Sequence, residues 1–124
     1  MEPVAVVGVG CRFPGGVGDV RGLWDVVVRG RDVIGGFPGD RGWDVAGLFD
    51  PDPDVGRATY VTQGGFLEDA GGFDAEFFGI SPREALAMDP QQRVALEVAW
   101  HTIEHAGIDP RRLHSTPTGT YLGA

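Results

Sequence analysis

The sequence predicts an α/β fold, and an incomplete one. Pro3–Val9 is a short, nearly continuous apolar run rich in Val, the pattern of a strand buried on both faces as in a parallel sheet. Two segments of helical period with start signals follow, over Val20–Arg29 and Pro90–His105. A second apolar run, Thr118–Ala124, reads as another strand, and the sequence given stops inside it. Two strands joined by long crossovers pair parallel. A two-stranded parallel sheet leaves both edges open and cannot cover two buried faces. The expectation is therefore a piece of a larger α/β domain with an incomplete sheet.

Each element has a local cause. Gly10–Gly18 is a turn-rich loop, and Asp19 after it can cap the first helix. Leu23, Trp24 and Val27 share one face of that helix, and Gly30 stops it. From Arg31 to Phe66 no period is sustained, and spans of that kind are functional or packed against something else. Phe66–Phe78 is aromatic and Gly-rich, with a short helical turn near Ala75. Phe66, Phe73, Phe77 and Phe78 read as core or as cover for a sheet that this chain does not complete, as do Met88 and Trp100, in preference to an acyl-binding wall.

Two helix starts then stand in tandem. Ser81 caps the first, with Pro82 at its first position and Glu84 closing a capping box. Asp89, Pro90 and Gln92 repeat the arrangement, which forces a short helix, a break and a long helix. Val94, Leu96, Val98, Trp100 and Ile103 help cover most of the long helix. Arg93, Glu97, His101 and Glu104 share its one polar stripe, so it reads as mostly buried with one wet edge. Gly107 ends it, and Pro110 follows.

Composition excludes some functions. The chain has 124 residues, 42% hydrophobic and 23% charged, which suits one soluble globular unit. A net charge of −8 opposes binding to nucleic acid or to an anionic membrane surface. All ten cations are Arg, a bias that carries no functional weight. One Cys gives no disulfide framework and fits a reducing compartment. No apolar run approaches the roughly 20 residues of a membrane helix, and a basic signal-peptide n-region is lacking. The chain reads as cytoplasmic.

Four motifs invite chemistry, and each has a plainer reading. Gly8-Val9-Gly10 starts like a dinucleotide fingerprint, but Phe13 stands at the third glycine and a Pro-Gly loop follows, so a structural turn is favoured. Cys11 has no helix start or adjacent His to activate it and reads as a small packed hydrophobe. His101-Thr102-Ile103-Glu104-His105 matches a zinc-protease motif, with Asp109 as the sole carboxylate beyond it; a small zinc hydrolase is therefore the alternative enzyme reading. Asp50-Pro51-Asp52-Pro53-Asp54 lacks the Gly and Glu of a calcium loop and reads as a solvated acidic turn. A non-catalytic interaction domain built on the aromatic and acidic loop is the second alternative.

Five blocks, in order, carry a family resemblance: Glu2-Pro3-Val4-Ala5-Val6-Val7-Gly8, Cys11-Arg12-Phe13-Pro14-Gly15-Gly16, Asp40-Arg41-Gly42-Trp43-Asp44, Gly64-Gly65-Phe66-Leu67 and the run from Phe77 to Arg93. Together they resemble the N-terminal part of the ketosynthase (beta-ketoacyl synthase) domain of modular type I polyketide synthases and related fatty acid synthases, over essentially the whole chain. The resemblance implies a partial thiolase-like fold, part of a duplicated α/β unit that works as a homodimer. It implies decarboxylative Claisen condensation by a Cys and two His. The family's nucleophile sits in a string resembling Thr-Ala-Cys-Ser-Ser, which does not occur here, and His101, His105 and His114 do not match the family's histidine motifs. Residues 1–124 are thus expected to stop short of the active-site Cys, to be inactive alone, and to hold no catalytic, cofactor-binding or metal residue. Substrates in the family ride on the phosphopantetheine of acyl carrier protein. The implied partners are the rest of the ketosynthase, acyl carrier protein and acyltransferase domains.

Overall fold

A computed structural model of the chain describes residues 3–50, 52 and 59–123. Its helices begin and end where side chains satisfy backbone groups. Helix α1 spans Val20–Arg29, and the Asp19 carboxylate accepts the Gly22 N–H at 2.7 Å. Gly30 closes it in the left-handed region, φ 57°, and the Arg31 N–H returns to the Val26 carbonyl at 3.0 Å.

The span from 31 to 66 is less irregular than its composition implies. Strand β1, Gly35–Gly36, pairs antiparallel with β2, Gln63–Gly64, with Gly35 opposite Gly64. Between them lies a one-turn helix α2, Val45–Leu48, capped by Asp44. A parallel bridge joins Phe49 to Thr59, whose N–H reaches the Leu48 carbonyl at 2.7 Å. Phe37, Trp43 and Phe66 meet with ring centroids 5.1–6.0 Å apart, so one small aromatic cluster fastens this excursion. Of the acidic turn, Asp50 and Asp52 are described, and the Asp50 carboxylate accepts the Asp52 N–H at 2.9 Å; Pro51, Pro53 and Asp54 lie outside the described residues.

Helix α3, Pro82–Ala87, and helix α4, Pro90–His105, follow the tandem starts. Asp89 and Gln92 form the full reciprocal capping box, whereas at Ser81 the hydroxyl accepts the Glu84 N–H at 3.3 Å and only that half is formed among the described residues. Arg93 ties the junction together. Its Nε and Nη2 both donate to the Met88 carbonyl, at 3.2 and 2.9 Å, and its Nη1 donates to the Gly71 carbonyl at 3.2 Å. A planar fork can serve one carbonyl twice and a second at right distance; an ammonium cannot. Arg93→Ala is therefore expected to lower stability by about 2 kcal/mol, with Arg93→Lys recovering only part, read as shifts of the urea midpoint of the intact protein.

A second aromatic cluster packs the turn at 75–79 on α4. Phe73 stacks on Phe78 at 5.3 Å, and Phe77 meets Trp100 edge-on at 4.7 Å. A 3-10 turn, Pro110–Leu113, starts from Asp109.

Three expectations are corrected. The run Pro3–Val9 joins no ladder; Val4 is 97% and Val6 82% exposed. Thr118–Gly123 likewise forms no strand and leaves Tyr121 and Leu122 exposed, while Ala124 lies outside the described residues. Helix α4 has no fully buried residue. The cause is common to all three: a strand exists only through a neighbour's hydrogen bonds, and a helix face is buried only by a second layer. The only ladder among the described residues is β1–β2. Val17 is the one buried hydrophobic among them.

The accessible surface is 10005 Å² for 13.2 kDa. A folded monomer of that mass exposes about 6,400 Å², so roughly 3,600 Å² stands uncovered.

Candidate functional site

The chemistry-bearing residues gather where the N-terminal segment crosses the C-terminal half of α4. Gly8 and Gly10 press directly on the helix. A Cβ on Gly8 would lie 2.8 Å from the Ala106 Cβ, and one on Gly10 would lie 2.7 Å from the Val98 carbonyl oxygen. Between them the Val9 N–H donates to His105 Nδ1 at 3.1 Å. The glycines thus serve close packing on a helix, where the sequence suggested a strand-to-loop turn. No helix begins at the following loop. Instead Gly15 and Gly16, φ 80° and 74°, turn a tight hairpin in which the Phe13 N–H donates to the Val17 carbonyl at 3.0 Å.

Arg12 locks that hairpin to α4. Its Nη1 donates to the Gly18 carbonyl at 3.3 Å, and its Nη2 stands 3.5 Å from the Glu97 carboxylate, both side chains about a quarter to a third exposed, 31% and 26%. The polar stripe of α4 is therefore partly engaged by protein: Arg93 holds the α3 junction and Glu97 holds Arg12. Cys11, next to Arg12, is half-buried and sits at no helix N-terminus.

The geometry does not support the zinc reading of His101, Glu104 and His105. His105 and His101 line a cleft of about 500 Å³ between Val9–Gly10 and the start of α1. Glu104 lines a second cleft, about 280 Å³, together with His101, Arg12, Asp74 and Trp100, and His105 does not line it. His105 Nδ1 is already an acceptor for Val9. Among the described residues no three His, Cys, Asp or Glu side chains gather to hold a metal. Asp109, the remaining carboxylate of that reading, is committed elsewhere. Two side-chain hydrogen bonds from Arg111, each 3.0 Å, and the Arg111 backbone N–H hold its carboxyl below the ordinary value of 3.8. A carboxyl lowered in the folded state supports its turn above the ordinary value and loses that support as pH falls through the lowered one.

Three engaged side chains were not legible as such: Arg12, Arg93 and His105. Their partners are backbone atoms or, for Arg12, also the Glu97 carboxylate far along the chain, and no spacing rule connects Val9 with His105.

A capped helix pair and a glycine-flanked segment laid on the longer helix leave much of the apolar surface uncovered. The chain belongs to the beta-ketoacyl synthase, N-terminal domain family, whose model matches residues 1–124. It is 66% identical over 122 residues to the phenolphthiocerol synthesis polyketide synthase type I Pks15/1 of Mycobacterium bovis, covering 98% of this chain and 6% of that protein. It is 61% identical to the pikromycin polyketide synthase component PikAII of Streptomyces venezuelae, again over 98% of this chain but 3% of the relative. Among solved structures, an oxazolomycin ketosynthase domain, OzmH KS7, from Streptomyces albus JA3453 superposes with a TM-score of 0.84 at 37% identity, covering 92% of this chain and 20% of that one. The ketosynthase from module 6 of the bacillaene synthase of Bacillus subtilis 168 gives 0.74 at 38% identity, over 88% of this chain and 18% of that one. The fold is thus a portion of the thiolase-like ketosynthase fold. The chain spans a small part of the length of every relative named. Among the described residues no helix is long and apolar enough to cross a membrane.

Proposed function

We propose that this chain is the N-terminal part of a polyketide synthase ketosynthase, which in complete form joins an acyl unit to a malonyl-type unit by decarboxylative Claisen condensation. The observation that supports it is the uncovered surface. An excess of roughly 3,600 Å² over a folded monomer is several times the roughly 800 Å² that each partner gives to a standard interface. It includes Val4, Val6 and Val7 at one end and Tyr121 and Leu122 at the other. Such a surface asks for further layers of the same domain.

In this reading the acyl group passes from a carrier-bound phosphopantetheine thiol to a Cys thiolate, forming a new thioester and freeing the carrier thiol. The malonyl-type thioester then loses carbon dioxide, and its enolate carbon displaces the Cys sulfur from the acyl carbonyl. The Cys and two supporting His belong to the rest of the domain; this chain contributes scaffold and no catalytic, cofactor or metal group. Its partners are the rest of the ketosynthase, a second copy in the dimer, and acyl carrier protein and acyltransferase domains, in the cytoplasm.

The test is a graft. The purified chain, given acyl- and malonyl-carrier proteins, is expected to form no β-ketoacyl product. Placed in the bacillaene module 6 ketosynthase in place of the matching segment, it is expected to support condensation. Turnover by the chain alone, stoichiometric zinc in it, or a dimeric but inactive graft would each count against the proposal.

A further inference from the structure

We infer that His105 is a positioning residue: as a neutral ring protonated on Nε2, it accepts the Val9 N–H and sets the register in which the N-terminal segment lies on α4. The inference rests on the ketosynthase reading, because only a completed sheet makes that register matter.

The geometry leaves few alternatives. Two residues of extended chain advance about 6.6 Å, and four residues of helix advance about 6 Å. Gly8 and Gly10 match that pairing: the first lies over Thr102 and Ala106, the second over Val98 and Thr102, so the segment runs antiparallel to the helix. A slip of one residue would turn Val7 and Val9 toward a helix that leaves no room for a Cβ. A slip of two would bring Val6 or Arg12 into a glycine's place. Sterics thus restrict the pairing, and the 3.1 Å bond from Val9 to His105 pins it. That bond needs a bare Nδ1 lone pair, which places the proton on Nε2. His101 lines the same cleft one turn earlier, and no bond of its own ties it to the segment among the described residues. Of the His-x-x-Glu-His pattern, one ring therefore acts, and it acts on backbone.

The test uses the intact ketosynthase that carries these residues, followed by hydrogen exchange at residues 4–10. His105→Phe keeps a ring and removes the acceptor; exchange at Val9 is expected to quicken roughly five- to tenfold, the size of one lost hydrogen bond. His105→Asn restores a short acceptor and is expected to recover most of the protection, while His101→Phe leaves it unchanged. Equal protection in His105→Phe and the native protein, or equal loss in the Asn and Phe variants, would overturn the inference. Nitrogen NMR of the native protein decides the matter without any variant. The Nε2–H tautomer is expected at His105, and an Nδ1–H tautomer or a charged ring would overturn it. An intact protein with no condensing activity but with His105-dependent protection would sink the functional reading and leave this one standing.

Discussion

Gly10→Ala is expected to destabilise the intact ketosynthase by about 3 kcal/mol, the upper range for forcing volume into packed structure, while Gly39→Ala changes little. The new methyl of the first variant would sit 2.7 Å from the Val98 carbonyl oxygen and against the Thr102 hydroxyl. Neither can yield freely. The Thr102 hydroxyl donates to that same carbonyl at 2.7 Å, and the carbonyl belongs to the helix backbone. Relief requires lifting the N-terminal segment off α4, which also breaks the bond from Val9 to His105. At Gly39 a Cβ would meet nothing within 4 Å, and φ there lies outside the left-handed region. Urea denaturation of the two variants side by side measures the contrast. Equal midpoints would mean that the segment does not lie on the helix in the intact protein.

The same crossing shows what a sequence carries openly and what it does not. The caps at Asp19, Ser81 and Asp89 were legible because each acts within its own first turn, on a donor two or three residues away. The stop at Gly30 was legible for the same reason. The ribbon of Gly35–Gly36 with Gln63–Gly64 was not, because neither strand contains a β-branched or aromatic residue and their pairing spans a long excursion. The Val-rich run at the N-terminus has the composition of a buried strand, yet composition says only which faces want cover. Whether cover exists depends on other segments, and here Val4, Val6 and Val7 remain exposed. In the candidate site, residue types drew attention to His101, Glu104 and His105, but the chemistry of His105 is fixed by a backbone N–H far along the chain. Arg93 stood in the most informative stretch of the sequence, yet its fork onto Met88 and Gly71 follows from how α3 meets α4.

The isolated chain is expected to bind hydrophobic dyes, to lack near-ultraviolet dichroism and to melt without a sharp transition, and one substitution should reverse its effect between contexts. Val6→Asp is expected to raise the solubility of the isolated chain and to prevent folding of the intact ketosynthase. Val6 is 82% exposed here, so a carboxylate in its place meets water and disrupts no packing. It also interrupts the apolar run that would drive association of bare chains. Once further strands cover both faces of that run, the same carboxylate is buried without a partner, at a penalty of several kcal/mol, comparable to the whole stability of a domain. Solubility of the chain and soluble yield of the intact protein measure the two arms. Were Val6→Asp harmless in both, the first strand would face water in the complete protein as well. The uncovered surface would then have to be the site of something other than the rest of a ketosynthase.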